Sequence, residues 1–121
     1  MAEFKVIGTA VPRGEGKDKV SGQTIYAADL KLPNLLWAKI LRSPHPHARI
    51  RHVDVSKALN VPGVRAIITG EDVKGYLIGK QIRDLPVLCW DKVRFIGEPV
   101  AAVAAEDEDT AQAAVKLIDV E

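Results

Sequence analysis

The run PVAAVAA, Pro99 to Ala105, followed at once by EDEDTAQAAVKLI, constrains this chain more than any other stretch. Seven uninterrupted apolar residues have the length of a strand. Behind them, Asp107 stands where an N-cap is needed, and Glu108 and Asp109 bring negative charge to the positive end of a helix dipole. Ala111, Ala114, Val115 and Ile118 recur at i, i+3, i+4 and i+7 and so share one apolar face. Alanines on that face permit close approach to a sheet. A strand followed by a helix is therefore expected. Asp119-Val120-Glu121 then begins a new extended segment with no capping or breaking signal, and it reads as a cut through a longer polypeptide.

Upstream, LLWAKILR (Leu35 to Arg42) alternates as a strand, with Leu36, Ala38 and Ile40 on one face and Trp37, Lys39 and Leu41 on the other. Ser43 and Pro44 end it, because proline cannot donate to a ladder. Arg49 to Asp54 is a second strand candidate. Val55 to Asn60 fits a short helix with Ser56 as N-cap and Val55 as the staple, stopped by Pro62 and Gly63. VRAIITG (Val64 to Gly70) is rich in β-branched residues and predicts a buried strand. PVLCW and KVRFI carry further strand signals, and Gly97-Glu98-Pro99 is a turn. Six or so strands, one short helix and one longer C-terminal helix amount to an α+β fold.

Two stretches lack a period. Val11 to Thr24, with three glycines and a proline, predicts an irregular lead-in loop. Its GEGKDKVSG fails as a phosphate-binding loop, since Lys19 is followed by Val20 and no amphipathic helix opens after Gly22. GEDVKGYLIGKQIRDLP is long for a connection in a compact domain, which makes it a candidate for contact with something outside the chain.

The 121 residues, 47% of them hydrophobic, suffice for one core, and a single domain over 1–121 is expected. Seventeen basic and sixteen acidic residues leave a net charge of +1, so no bulk electrostatic partner is implied. Cys89, in a Leu-Cys-Trp setting, predicts a small buried residue and can form no internal disulfide. No secretory signal or membrane-spanning run is apparent, which points to the cytoplasm.

LRSPHPHARIRHVDVS gathers His45, His47 and His52 within eight residues. A metal site would need Asp54 or Glu98 to complete a set with His45 and His47, yet Pro44 and Pro46 interrupt regular structure around His45. The simpler reading has His47 bonded to backbone groups at a strand entry, with His45 and His52 partly solvated. Arg42, Arg49, Arg51 and Arg65 could meet phosphates, but aromatics are 5% of the chain and none lies between Trp37 and Tyr76. Glu98 is expected to accept backbone hydrogen bonds in its turn, and nothing pairs a nucleophile with a base. No residue is assigned to catalysis, cofactor binding or metal binding.

Taken in order, KVSGQTIYAADLKLPNLLWAKILRSPHPHARI, VDVSKALNVPGVRAIITGEDV and DKVRFIGEPVAAVAAED resemble the α/β hammerhead domain of the xanthine dehydrogenase and aldehyde oxidase family, from about Ile7 to Glu121. Lys19-Val20-Ser21-Gly22 stands where that family commonly has KVTG, and the family carries an SPHAHARI segment similar to the histidine stretch here. The resemblance implies an α/β hammerhead with a mixed β-sheet, forming the N-terminal part of a molybdopterin-binding subunit. It implies a parent molybdenum hydroxylase or dehydrogenase with molybdopterin, [2Fe-2S] clusters and often FAD, in which the cofactor carries the hard chemistry. This chain would be an architectural part, inactive alone, packing against the molybdopterin-binding and iron-sulfur regions. The loops Arg13 to Gly22 and Asp72 to Asp84 are expected to face those parts. The alternative from another class is a stand-alone carrier module of the barrel-sandwich type, but no lysine here sits in the tight hairpin that such a carrier presents.

Overall fold

The computed structural model describes residues 5–121. The chain divides into two compact units, Met1–Pro33 and Asn34–Glu121.

The described part of the first unit holds a five-residue helix, α1 (Gly16–Val20), and a single 3-10 turn at Ala27–Asp29. The lead-in expected to be irregular is thus partly helical, a correction. Local pairing accounts for it, since Glu15 receives Lys19 Nζ at 2.9 Å one turn on. No residue of α1 is buried, and Val6, Ile7, Val11, Val20, Ile25 and Leu30 are all exposed.

The second unit is built on a three-stranded sheet in the order β1-β8-β4, from β1 (Trp37–Arg42), β4 (Val64–Thr69) and β8 (Pro99–Ala105). Two-residue ladders surround it: β2 (Ala48–Arg49) with β7 (Lys92–Val93), β3 (Val53–Asp54) with β9 (Asp119–Val120), and β5 (Leu77–Ile78) with β6 (Leu85–Pro86). All five pairings are antiparallel. The α+β class stands, while the sheet expected to be mixed is antiparallel. Tight turns and long returns join these strands, and among the described residues no crossover sets neighbours parallel.

β8 runs through the centre of the sheet. Its odd-numbered face, Ala101, Val103 and Ala105, is fully buried beneath α3 (Glu108–Val115). Ala111, Ala114, Val115 and Ile118 are the buried face of that segment, as their spacing requires. Asp107 caps α3, accepting Thr110 N at 2.8 Å and Thr110 Oγ1 at 2.6 Å. The hydroxyl and the amide together hold its carboxyl below the usual carboxylate range. α2 (Ser56–Leu59) adds Ala58 to the same core, with Leu41, Val53, Val55, Val61, Val64 and Ile67 around it.

Four local expectations are corrected. Ser56 is the first helical residue of α2 and not its cap; its N–H is taken by Asp54 Oδ1 at 2.8 Å. The Arg49 to Asp54 strand is two separate ladders, because its halves pair with β7 and β9 in turn. PVLCW and KVRFI contribute only the short β6 and β7, since Leu88–Cys89 packs into the interior by side chains and Cys89 N bonds Pro99 O at 2.8 Å outside a ladder. β4 is half exposed, as it lies at the sheet edge with one face uncovered.

Candidate functional site

The histidine stretch leaves β1 at a corner that is organised by Ser43. This residue is buried, and its Oγ accepts His45 N–H at 3.0 Å while donating to His45 O at 3.1 Å. Its backbone clasps the turn before β8: Ser43 N donates to Glu98 O at 3.0 Å, and Gly97 N donates to Ser43 O at 2.8 Å. Arg42 Nη1 adds a bond to Gly97 O at 2.8 Å. Gly97 has φ +88°, a left-handed conformation in which a side chain would be strained. One serine and one glycine thus tie the end of β1 to the start of β8.

Inside that turn lies Glu98, 1% exposed. Its Oε2 accepts the backbone N–H of Arg94, and among the described residues Oε1 has no hydrogen-bond partner. The Arg94 guanidinium stands 4.0 Å from that oxygen. The expected role, a buried acceptor holding the turn, is what the geometry gives. Fully buried Cys89 is its neighbour, and burial, with the Glu98 carboxylate beside it, pushes the thiol up to about 12. A thiol so placed is neither a nucleophile nor a ligand at neutral pH.

His45, His47 and His52 all have exposed side chains. The bond expected from His47 to the backbone is absent among the described residues, a correction: the corner it was to hold is already satisfied by Ser43. No group of three or more His, Cys, Asp or Glu side chains is placed to hold a metal among the described residues. Of the four arginines weighed for phosphate binding three are engaged separately, Arg51 with Glu121, Arg65 with Glu106 and Arg42 with the turn, while Arg49 lies exposed in β2. A [2Fe-2S] cluster takes four protein ligands, usually thiolates. With one cysteine, sealed in the core, this chain does not fit such a cluster.

A cavity of about 310 Å³ opens beside the corner. Leu41, Val93, Val100 and Ile118 are among its apolar lining, and Arg42, His45, Arg49 and Glu121 among its polar lining. That lining carries charges of both signs, Arg42 and Arg49 beside Glu121. What the surface offers in quantity is apolar area without cover: Trp37, Ile40, Ile68, Tyr76, Ile78, Ile82 and Phe95 are each at least two-fifths exposed. Such surface marks a protein contact more readily than a catalytic pocket.

Comparison with known proteins identifies the class to which this fold belongs. The family model described as "Aldehyde oxidase and xanthine dehydrogenase, a/b hammerhead domain" matches residues 21–121, and the chain belongs to that family. It is 48% identical over 110 residues to a probable xanthine dehydrogenase subunit of Bacillus subtilis (strain 168), covering 90% of this chain and 15% of that protein. It is 38% identical over 120 residues to the nicotinate dehydrogenase large molybdopterin subunit of Eubacterium barkeri, covering 98% of this chain and 28% of the relative. The crystal structure of quinoline 2-oxidoreductase from Pseudomonas putida 86 superposes with a TM-score of 0.88 at 38% identity, over 98% of this chain and 16% of that one. The chain therefore spans less than a third of the length of the curated relatives it matches here.

Proposed function

We propose that residues 1–121 act as one hammerhead domain within the molybdopterin-carrying large subunit of a molybdenum hydroxylase, an architectural part that performs no chemistry alone. The observation that carries this reading is the pairing of high identity with low share: nine-tenths of the chain matches about a seventh of a xanthine dehydrogenase subunit. The family match crosses the boundary at Pro33, which supports treating the two units as one functional domain. In this reading molybdopterin is held by other parts of the subunit, and [2Fe-2S] and FAD groups by neighbouring domains or subunits. A cytoplasmic location belongs to the same reading. Among the described residues no helix is long and apolar enough to cross a membrane.

The loop regions Arg13 to Gly22 and Asp72 to Asp84 would face the molybdopterin and iron-sulfur regions. Tyr76, Leu77, Ile78 and Ile82, exposed on or beside the β5–β6 hairpin, support that orientation. The test is a chimera of the Bacillus subtilis relative in which this chain replaces the matching 110 residues. The chimera is expected to retain molybdenum, and deletion of the segment is expected to give an insoluble or molybdenum-free subunit. A deletion protein that keeps its molybdenum and its activity would refute an architectural role.

A further inference from the structure

We propose that the open face of the β1-β8-β4 sheet is the seat of an amphipathic helix from the part of the large subunit outside this chain. The inference rests on the packing role just described and specifies one contact that performs it. Register places Ile40, Ala102 and Ile68 side by side in one row, and Ala38, Ala104 and Ala66 in the next. These six residues share the face turned away from α3. Ile40 is 44% and Ile68 43% exposed, Ala38 and Ala66 are also exposed, and Ala102 and Ala104 are half-buried between them. None of the six carries a charge or a hydrogen-bonding side chain.

The shape selects a helix. Strands lie about 4.8 Å apart, so Ile40 and Ile68 stand roughly 10 Å from each other across the alanine of the central strand. A helix with its side chains is about 10–12 Å wide. The two isoleucines are thus the walls of a trough one helix across, and Ala102 and Ala104 are its floor. The opposite face shows how this sheet accepts such a partner: there α3 lies along Ala101, Val103 and Ala105 and presents alanines of its own, Ala111 and Ala114. A second sheet would fit less well, because face-to-face sheets about 10 Å apart fill the gap by interdigitating side chains from both sides, and four alanines leave that gap empty. The source of the helix follows from length, since the relatives carry several times more polypeptide than this chain spans. The partner's buried residues would be aliphatic or aromatic at i, i+3, i+4 and i+7, with no charge among them.

The experiment uses the whole chimeric subunit, with a benzophenone side chain placed at position 68 in one protein and at position 76 in another. On illumination, position 68 is expected to capture a peptide from beyond the 110 replaced residues whose apolar residues recur at helical spacing. Ile40→Lys in the same protein should reduce that yield severalfold without changing the capture at position 76. Capture between two copies at position 68, or of a peptide with strand alternation, would overturn the helix. Capture at 76 without capture at 68 would remove this inference and leave the packing role standing. Failure of both positions would remove the packing role as well.

Discussion

Glu98→Ala removes the acceptor for the Arg94 N–H inside a turn that water does not reach, and a buried donor left unpaired costs roughly 1–3 kcal/mol. The urea midpoint should fall accordingly. Glu98→Gln, which keeps an oxygen for the same bond, should fall less; equal losses would show that the bond to Arg94 does not hold the turn. Cys89 gives a pH signature. Its folded-state value of about 12 lies above the ordinary 9.0, so between these limits the folded protein binds the more protons. Stability is then fully present below pH 9 and declines as pH rises toward 12, at most about 1.4 kcal/mol per unit. Denaturation from about pH 8 to 10.5 with Cys89→Ala as reference measures it, and a parallel decline in the variant would assign the effect to other groups. The sequence made Glu98 visible through its glycine and proline neighbours. It made Ser43 hard to see, because a serine before a proline signals a strand end without saying that its backbone will clasp a turn more than fifty residues on. The histidines drew attention through composition, and solvent surrounds them because the corner had no polar group left for them to satisfy.

Where elements meet, clearance decides what can change. A β-carbon at Gly70, just past β4, would lie 2.0 Å from the Cys89 carbonyl oxygen and 2.7 Å from Trp90 N. Those are backbone atoms and cannot rotate aside, so Gly70→Ala is expected to cost roughly 1–3 kcal/mol, as overpacking does. An unchanged thermal midpoint would mean that the Leu88–Cys89 segment shifts freely. At α3, Asp107→Ala should lower the midpoint and Asp107→Asn should restore most of it, since the cap needs an oxygen more than a charge. The pH dependence has the opposite sign to that of Cys89. A depressed carboxyl stabilises above its unfolded value near 3.8, and that contribution is lost as pH falls through the folded value. β8 and α3 were legible because each carries its own period and boundary signals. The ladders β2-β7 and β3-β9 were not, since two residues have no period and each strand exists only where a distant partner meets it.

At the scale of the whole chain, the two units differ in how much they enclose. Trypsin is expected to cut first at Arg13, Lys17, Lys19 or Lys31, in the unit whose described apolar residues are largely exposed, and to leave a core beginning near Leu32. First cuts at Arg65 in β4 or at Lys116 just after α3, mapped by mass spectrometry, would show the second unit to be the weaker. The family could be read from ordered blocks of sequence, whereas the open sheet face could not: periodicity marks which residues share a side, and only pairing shows that a side lacks cover. That face also bears on how the chain finds its alignment. From Ala101 to Ala105 four residues of β8 are identical, and a slip by one position would exchange inside for outside while leaving the alanines nearly indifferent. Val103, fully buried between Lys39 and Ile67, is the single odd letter in that repeated text. Erasing it would leave Val100 alone to set the frame of the strand, and the alanine half would no longer distinguish the face it keeps from the face it lends.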